Sequence, residues 1–290
     1  MSLTKLITDA ASDISYTDET RYGIRVIPFQ VELGDRSYLS RVDMDNQGFY
    51  ELMEQYDEIP KTAQVTPFQF QEIYLEEARA GVTDIILVLI NDKGSATYGN
   101  SLLAKELFFD EYPEYVGKVN IRSFDGGGYS SLYGAPVVEA AKLLEAGKSA
   151  DDVASYLETT LPQRQIFFGM YTLRYAAKSG RIPSAAAFLG DKLNLKPIMK
   201  IYGGEVVTAG KCRGENKLIS KVVDMTLEAM EPGSAYEVIC GNDPKCAQEA
   251  AELMQQHLGY GPAATYRIGA VIAANSGPKV VAISFNKKAE

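Results

Sequence analysis

The chain has 290 residues, of which 46% are hydrophobic and 23% are charged, and its net charge is −9. This length suggests one large domain or two smaller ones, and the hydrophobic content is ordinary for a globular protein with a packed core. An acidic chain without a run of Lys or Arg is a poor partner for nucleic acid, because phosphate binding depends on positive charge. The spacing of the three cysteines fits no zinc site, and a single histidine argues against a Ser-His-Asp triad or a histidine-rich metal site.

The N-terminus predicts no secretory signal, since residues 1–10 are too short and too polar for one. No stretch approaches the roughly 18 uncharged apolar residues that a membrane span needs. We therefore expect a reduced, cytoplasmic protein without integral membrane contact.

The first half of the chain alternates between strand and helix patterns. Strands are predicted at Leu3–Ile7, Ile24–Leu33 and Ile85–Ile90, and from Val119 onwards. Helices are predicted at Gln47–Tyr56, Pro67–Ala80, Ser101–Phe109, Pro136–Ala146 and Lys148–Thr159. The third strand is an uninterrupted apolar run, as expected for a parallel strand covered on both faces. This alternation predicts a doubly wound parallel sheet.

The pattern changes in the second half. Strands are predicted at Gln165–Met170, Tyr236–Cys240 and Val280–Phe285, and helices at Ser184–Leu193, Asn216–Met230 and Pro244–Leu258. Two alternating runs within Met199–Lys211 meet at Gly203 and Gly204, which predicts a hairpin. The only histidine, His257, lies near the end of a predicted helix, where a positive charge suits the helix dipole.

The predicted fold class is therefore α/β with two domains. Residues 1–160 form an N-terminal domain with a doubly wound parallel sheet, and residues 161–290 form a C-terminal α/β domain with a mixed sheet. A ligand is expected just beyond the carboxyl ends of the parallel strands, where open α/β sheets bind their ligands.

Three strands of the first half end in loops of hydroxyls, glycines and acids: Leu6–Asp13, Ile85–Ser101 and Val119–Ser131. Small residues let the backbone approach a ligand, and hydroxyls supply donors that tolerate an anion. The pattern indicates a small-molecule site built from neutral donors. It does not indicate one built from strong acids, bases or metals.

Two hydroxyls, those of Thr62 and Ser95, are candidate ligand contacts. Thr66 before Pro67 is explained as a helix N-cap, but that leaves Thr62, four residues earlier, without a structural role. Ser95 precedes a predicted helix and suits either an anion site or plain capping, and nearby Asp92 disfavours a phosphate there. The glycines after Asp125 match neither GxGxxG nor a Walker sequence, so a nucleotide site is not predicted.

Taken in order, these segments resemble the DegV family of bacterial fatty-acid-binding proteins, from Ile7 to about Phe285. The matching segments are Thr8–Ala11, Thr62–Val65, Asn91–Tyr98, Asp125–Gly126, Lys178–Ile182, Leu193–Ile198, Lys211–Arg213 and Ala274–Gly277. Several ordered matches of this kind are more specific than any one of them.

The resemblance implies a carrier and not an enzyme, with no cofactor and no metal. A long-chain fatty acid would lie in an apolar tunnel between the domains, with its carboxylate held by Thr62 and Ser95. Asn275 and Ser276 stand where the family has histidine and threonine, so an uncharged amide replaces an ionisable ring. Arg213 would lie near a phosphoryl-transfer face, with Arg181 as a second basic candidate. The implied partner is a separate fatty acid kinase that makes acyl-phosphate for phospholipid synthesis.

Two other interpretations remain open from the sequence. Asp9 and Asp125, at neighbouring strand ends, could serve a small metal-dependent hydrolase or phosphoryl transferase, since a carboxylate pair suits magnesium. In proteins of the resembling family these aspartates cap loops through backbone N–H groups. Asn275 favours a third interpretation, a carrier of a different amphiphile.

Overall fold

The computed structural model describes residues 3–182 and 194–288, so the predicted helix Ser184–Leu193 lies outside the described residues. The strands are β1 (Thr4–Asp9), β2 (Arg25–Ile27), β3 (Gln30–Leu33), β4 (Arg36–Leu39), β5 (Lys61–Ala63), β6 (Asp84–Leu89), β7 (Asn120–Asp125), β8 (Arg164–Met170), β9 (Leu195–Tyr202), β10 (Glu205–Arg213), β11 (Tyr236–Cys240), β12 (Ala264–Arg267) and β13 (Val280–Asn286). The helices are α1 (Tyr16–Tyr22), α2 (Asn46–Gln55), α3 (Pro67–Arg79), α4 (Thr97–Glu111), α5 (Ser131–Glu145), α6 (Ala150–Thr160), α7 (Arg174–Ser179), α8 (Leu218–Ala229), α9 (Pro244–Leu258) and α10 (Ala270–Ser276).

The parallel sheet has the strand order β2-β1-β6-β7. Five consecutive side chains of β6, from Ile85 to Leu89, are fully buried. Because successive side chains of a strand point to opposite faces, this run shows that both faces of the sheet are covered. The predicted α/β class with a parallel sheet is confirmed.

The predicted strand Ile24–Leu33 is wrong as a single element. It breaks at Pro28 into β2, which pairs in parallel with β1, and β3, which pairs antiparallel with β4 and β5 in a separate three-stranded sheet. Proline has no N–H for a sheet ladder and restricts the residue before it, so the chain leaves one sheet there. The next residue, Phe29, donates its N–H to Ser40 Oγ at 2.8 Å.

Helix α5 begins at Ser131, five residues before the predicted start at Pro136. A proline inside a helix leaves the carbonyl four residues earlier without its partner. Here that carbonyl belongs to Leu132, and it accepts a hydrogen bond from Arg164 Nε at 3.3 Å. A side chain from the second half of the chain therefore compensates for the proline, which the local pattern does not reveal.

The second sheet is mixed, with the strand order β10-β9-β8-β13-β11-β12. Only β11 and β12 pair in parallel among these strands of the described chain. The predicted hairpin is confirmed: Gly203 and Gly204 join β9 to β10 with φ values of 58° and 79°. Two successive positive φ values are typical of a type I′ turn, which glycine adopts without a steric penalty.

A buried polar network joins the two halves of the molecule. Arg164 forms an ion pair with Glu237, and both side chains are about 95% buried. Ser284 Oγ lies 2.7 Å from both Glu237 Oε2 and Ser131 Oγ, so the start of α5 is fixed against the mixed sheet. The helices of the described residues are all too short or too polar to cross a bilayer.

Candidate functional site

A cavity lies between the carboxyl ends of the parallel strands and the mixed sheet. The empty space inside it, counted together with open solvent at its mouth, is about 940 Å³. Most of its wall is aliphatic or aromatic: Phe29, Ile90, Ile166, Phe168, Ile182, Ile201, Val206, Ile239, Ile268, Val271, Ile272, Val280 and Ala282. Such a wall suits an apolar ligand.

The polar groups of the wall come from five separate segments. They are Thr62 and Gln64 of β5 and its following loop, Gly94 and Ser95 before α4, Tyr129 and Ser130 before α5, Arg181 after α7, and Asn275 and Ser276 of α10. Five of the six residues that the sequence suggested as ligand contacts therefore line one cavity. Arg213 is the exception.

Thr62 and Ser95 are held near each other by a hydrogen-bonded bridge between their loops. The N–H of Val65 donates to Thr97 Oγ1 at 3.3 Å, and that oxygen lies 2.9 Å from Ser95 Oγ. Asn100 Nδ2 also donates to the Val65 carbonyl at 2.8 Å. The first turn of α4 thus fixes the loop that follows β5.

Ser95 contacts the start of α4 through its side chain. Its Oγ accepts a weak hydrogen bond from the N–H of Thr97 at 3.3 Å, while the N-cap residue of α4 is Ala96, which makes no side-chain capping bond. A hydroxyl also has one proton to donate. When the Thr97 hydroxyl donates to Ser95, the Ser95 proton is free to point into the cavity.

Asn275 and Ser276 lie on the last turn of α10, and both line the cavity. Asn275 Nδ2 donates to the Val271 carbonyl at 2.9 Å, one turn earlier in the same helix. Ser276 Oγ lies 3.0 Å from two backbone carbonyls, those of Ile272 and Gly277. Both side chains therefore donate hydrogen bonds to backbone carbonyls of their own helix. The Asn275 amide has a second N–H, which is available to a ligand.

Tyr129 is a cavity residue that the sequence did not single out. A Cβ placed on Gly94 would lie only 2.2 Å from the Tyr129 hydroxyl oxygen, so the ring sits directly against the loop that carries Ser95. Burial raises the pKa of this hydroxyl, while a hydrogen bond with Asn91 and the charge of Arg181 oppose the rise. The sequence does contain a signal for this residue, because Tyr129 directly follows the three glycines 126–128 at the end of a strand.

The β9–β10 hairpin closes over the same loop. Asn91 is fully buried, and its Nδ2 donates to the carbonyl of Gly204 at 2.5 Å. A Cβ on Gly204 would lie 2.8 Å from the side chain of Lys93. Glycine is thus needed at this position for the close approach as well as for the turn.

The two basic candidates lie in different places. Arg181 is exposed beside the cavity, and its Nη1 donates to the Ser179 carbonyl at 2.8 Å. Arg213 is the last residue of β10, seven residues beyond the cavity residue Val206, which is about 23 Å along an extended strand. The structure therefore does not bring Arg213 to the cavity.

The aspartates of the alternative enzyme hypothesis serve structural roles. Asp9 accepts hydrogen bonds from Ala11 N at 2.9 Å, Ile90 N at 2.7 Å and Tyr133 Oη at 2.6 Å. Asp125 Oδ1 accepts from Gly127 N at 2.9 Å and from Asp92 N at 3.2 Å. Within residues 3–182 and 194–288, no cluster of three or more His, Cys, Asp or Glu side chains is placed to hold a metal ion.

Comparison with known proteins identifies the family. The family model described as "Uncharacterised protein, DegV family" matches residues 4–288. The chain belongs to the DegV family. A DegV domain-containing protein of Clostridium perfringens is 29% identical over 288 residues, which cover 98% of this chain and 99% of that protein. A DegV domain-containing protein of Deinococcus radiodurans is 26% identical, covering 96% of each chain.

Solved structures share the DegV fold over the whole chain. A DegV family protein of Thermus thermophilus, described as binding fatty acid, is 27% identical with a TM-score of 0.84 and covers 98% of this chain and 99% of its own. A stearic acid-binding protein of Eubacterium ventriosum is 23% identical with a TM-score of 0.88 and covers 99% of both chains. The fold of these neighbours agrees with the parallel and mixed sheets found here.

Proposed function

We propose that this DegV-family protein binds a long-chain fatty acid, with the acyl chain in the apolar cavity and the carboxylate among the hydroxyls of Thr62 and Ser95. The observation that carries the proposal is the cavity itself. Its wall is apolar over most of its extent, while loops from both halves of the molecule supply neutral donors. An amphiphile with one long apolar part and one small acceptor group fits this distribution.

The energetics favour such a ligand. Each buried methylene contributes roughly 0.8 kcal/mol, so the acyl chain supplies most of the affinity. Hydrogen bonds to a charged acceptor contribute about 1.5–3 kcal/mol each and fix the position of the carboxylate. The neighbours described as binding stearic acid and other fatty acids support this ligand class.

We also propose that the protein is a carrier that presents the carboxylate to a separate fatty acid kinase. Arg181 is exposed beside the cavity and offers a positive charge to the transferred phosphoryl group. In this scheme Arg213 lies too far along β10 to touch the ligand, and it would contact the partner instead. The unpaired cysteines, of which Cys212 is partly exposed, favour the reducing cytoplasm as the location.

The same scheme divides the chain into domains 1–160 and 161–290. The four-stranded and three-stranded sheets are formed within residues 4–125, and the mixed sheet within residues 164–286. The ligand would then lie between the two.

Mass spectrometry of lipid extracted from the purified, denatured protein tests the proposal. We expect fatty acid in the extract, or saturable binding of added palmitate or oleate by delipidated protein. A different amphiphile in the extract, together with no binding of either acid, would favour the third interpretation. Protein that contains no lipid and binds no added amphiphile would refute a carrier function.

A further inference from the structure

Tyr129 brings its hydroxyl to the loop that carries Ser95. The residue lines the cavity, and a Cβ placed on Gly94 would lie 2.2 Å from the hydroxyl oxygen. The proposed function assigns the ligand carboxylate in part to Ser95, the residue directly after Gly94. The Tyr129 hydroxyl therefore lies beside the expected position of the carboxylate, although the proposed function gives it no role.

The side chain of Asn91 holds the Tyr129 hydroxyl in place. Asn91 is fully buried. Its Oδ1 accepts a hydrogen bond from the N–H of Lys93 at 3.2 Å, and its Nδ2 donates to the carbonyl of Gly204 at 2.5 Å. An amide group has two N–H donors, so one remains for the hydrogen bond with Tyr129. That bond lowers the pKa of the tyrosine hydroxyl, as expected when Asn91 donates and the tyrosine oxygen accepts.

The proton of the Tyr129 hydroxyl is then available to a ligand. A phenol hydroxyl can accept a hydrogen bond and still has one proton to donate. Among residues 3–182 and 194–288, Asn91 is the only side chain that shares a hydrogen bond with this hydroxyl. Because Asn91 donates in that bond, the tyrosine proton points elsewhere, and the cavity adjoins it.

The charges that act on the Tyr129 hydroxyl favour an anion beside it. Arg181, which also lines the cavity, lowers the pKa of this hydroxyl, and its effect exceeds the opposing effect of Asp125. The polar group of an ionised fatty acid is a carboxylate. Its charged oxygens accept stronger hydrogen bonds than those of a neutral ester.

We propose that the Tyr129 hydroxyl donates a hydrogen bond to the ligand carboxylate, and that this bond favours free fatty acids over their neutral esters. The inference rests on the proposed fatty-acid binding and adds a specificity-determining residue to it. The β9–β10 hairpin takes part indirectly, because Gly204 orients Asn91 and Asn91 orients the hydroxyl.

Dissociation constants of delipidated protein for palmitate and methyl palmitate, measured by displacement of a fluorescent fatty acid, test the inference. Tyr129→Phe keeps the ring and removes the hydroxyl. It should weaken the binding of palmitate by roughly 10–150-fold, as the loss of one hydrogen bond to a charged acceptor predicts. The binding of methyl palmitate should weaken by a smaller factor, because an ester oxygen carries no charge.

Tyr98→Phe is the matched control. Tyr98 follows Ser95 by three residues but does not line the cavity, so both dissociation constants should equal those of wild type. Thermal unfolding of Tyr129→Phe should occur close to the temperature of wild type, since the ring still packs against Gly94.

The remaining outcomes decide against a stated claim. Unchanged affinity for palmitate in Tyr129→Phe, or a loss for the ester as large as the loss for the acid, would overturn the inference and leave fatty-acid binding intact. The same conclusion follows if Tyr98→Phe reproduces the loss. If wild type binds palmitate and does not bind the ester, the comparison of Tyr129→Phe with Tyr98→Phe on palmitate decides alone. Wild type that binds neither ligand would overturn the proposed function and this inference with it.

Discussion

Asp13 Oδ1 accepts a hydrogen bond of 2.7 Å from the backbone N–H of Gly269, although the two residues are 256 positions apart. Gly269 is the residue before α10, the helix that carries Asn275 and Ser276. A Cβ at Gly269 would lie 3.1 Å from that carboxyl oxygen and 3.2 Å from Asn46 Oδ1, so a larger residue there would require both oxygens to shift by a few tenths of an ångström. The loop after β1 thereby fixes the position of the residue before α10, the helix whose last turn lines the cavity.

Asp13 should make the stability of the protein depend on pH. Burial raises its pKa from 3.8 to about 7, so the folded protein holds the proton more tightly than the unfolded chain. Its contribution to folding is complete below about pH 4 and is lost as pH rises to about 7. Asp9, whose pKa burial raises to about 6, acts in the same direction.

Asp13→Asn keeps the Oδ1 acceptor for Gly269 and removes the ionisation. At about 1.4 kcal/mol for each pH unit of a pKa difference, the loss of unfolding free energy between pH 4 and pH 8 should shrink by roughly 2–4 kcal/mol. Urea denaturation of both proteins at the two pH values measures this. An unchanged loss in the variant would show that Asp13 ionises normally.

Thr62→Val should weaken fatty-acid binding and leave the fold intact, because it removes one donor to the carboxylate and keeps the shape of the side chain. Ser95→Ala should do the same. The expected loss is about 1.5–3 kcal/mol, or roughly 10–150-fold in the dissociation constant. Isothermal titration calorimetry with palmitate measures it.

Thr66→Val is the matched control for these variants. Thr66 Oγ1 accepts a hydrogen bond from Gln69 N at 3.3 Å and caps α3, but it does not line the cavity. It should lower stability by about 1 kcal/mol and leave the dissociation constant unchanged. If Thr62→Val and Ser95→Ala both bind palmitate like wild type, the carboxylate lies elsewhere.

Asn275→His should make binding depend on pH. A histidine beside a carboxylate is stabilised in its charged form, so its pKa should rise above about 6.5 in the complex. Affinity should then improve as pH falls from 8 towards 6, where the fatty acid is still ionised. Titration of both proteins at these two pH values tests this, and a shared pH profile would show that residue 275 does not meet the carboxylate.

Gly94→Ala should weaken binding by displacing Tyr129 from the cavity wall, since the new Cβ would lie 2.2 Å from the Tyr129 hydroxyl oxygen. Gly99→Ala is the matched control within α4. Its nearest neighbour would be Asp92 Oδ1 at 3.7 Å, so the change should stabilise the helix by about 0.5–1 kcal/mol without altering affinity. Equal affinities in the two variants would mean that the position of Tyr129 does not matter for the ligand.

The sequence by itself determined the features that depend on near neighbours along the chain. The apolar run of β6, the capped start of α3 at Thr66 and the turn at Gly203 and Gly204 were all predicted from local patterns. Each of these depends on backbone preferences or on burial on both faces, which a short segment encodes. The resemblance of ordered short segments to the DegV family likewise suggested Thr62 and Ser95 for one site, and both line the cavity.

Only the tertiary structure decided what depends on contacts between distant segments. The second predicted strand is split at Pro28 because the residues before it pair in the four-stranded sheet and those after it pair in the three-stranded sheet. Arg213 lies away from the cavity because it is at the far end of the long strand β10. Tyr129 lines the cavity because its ring packs against Gly94. The hydrogen bond between Asp13 and Gly269 likewise joins residues that meet only in the folded chain, and no local pattern carries that information.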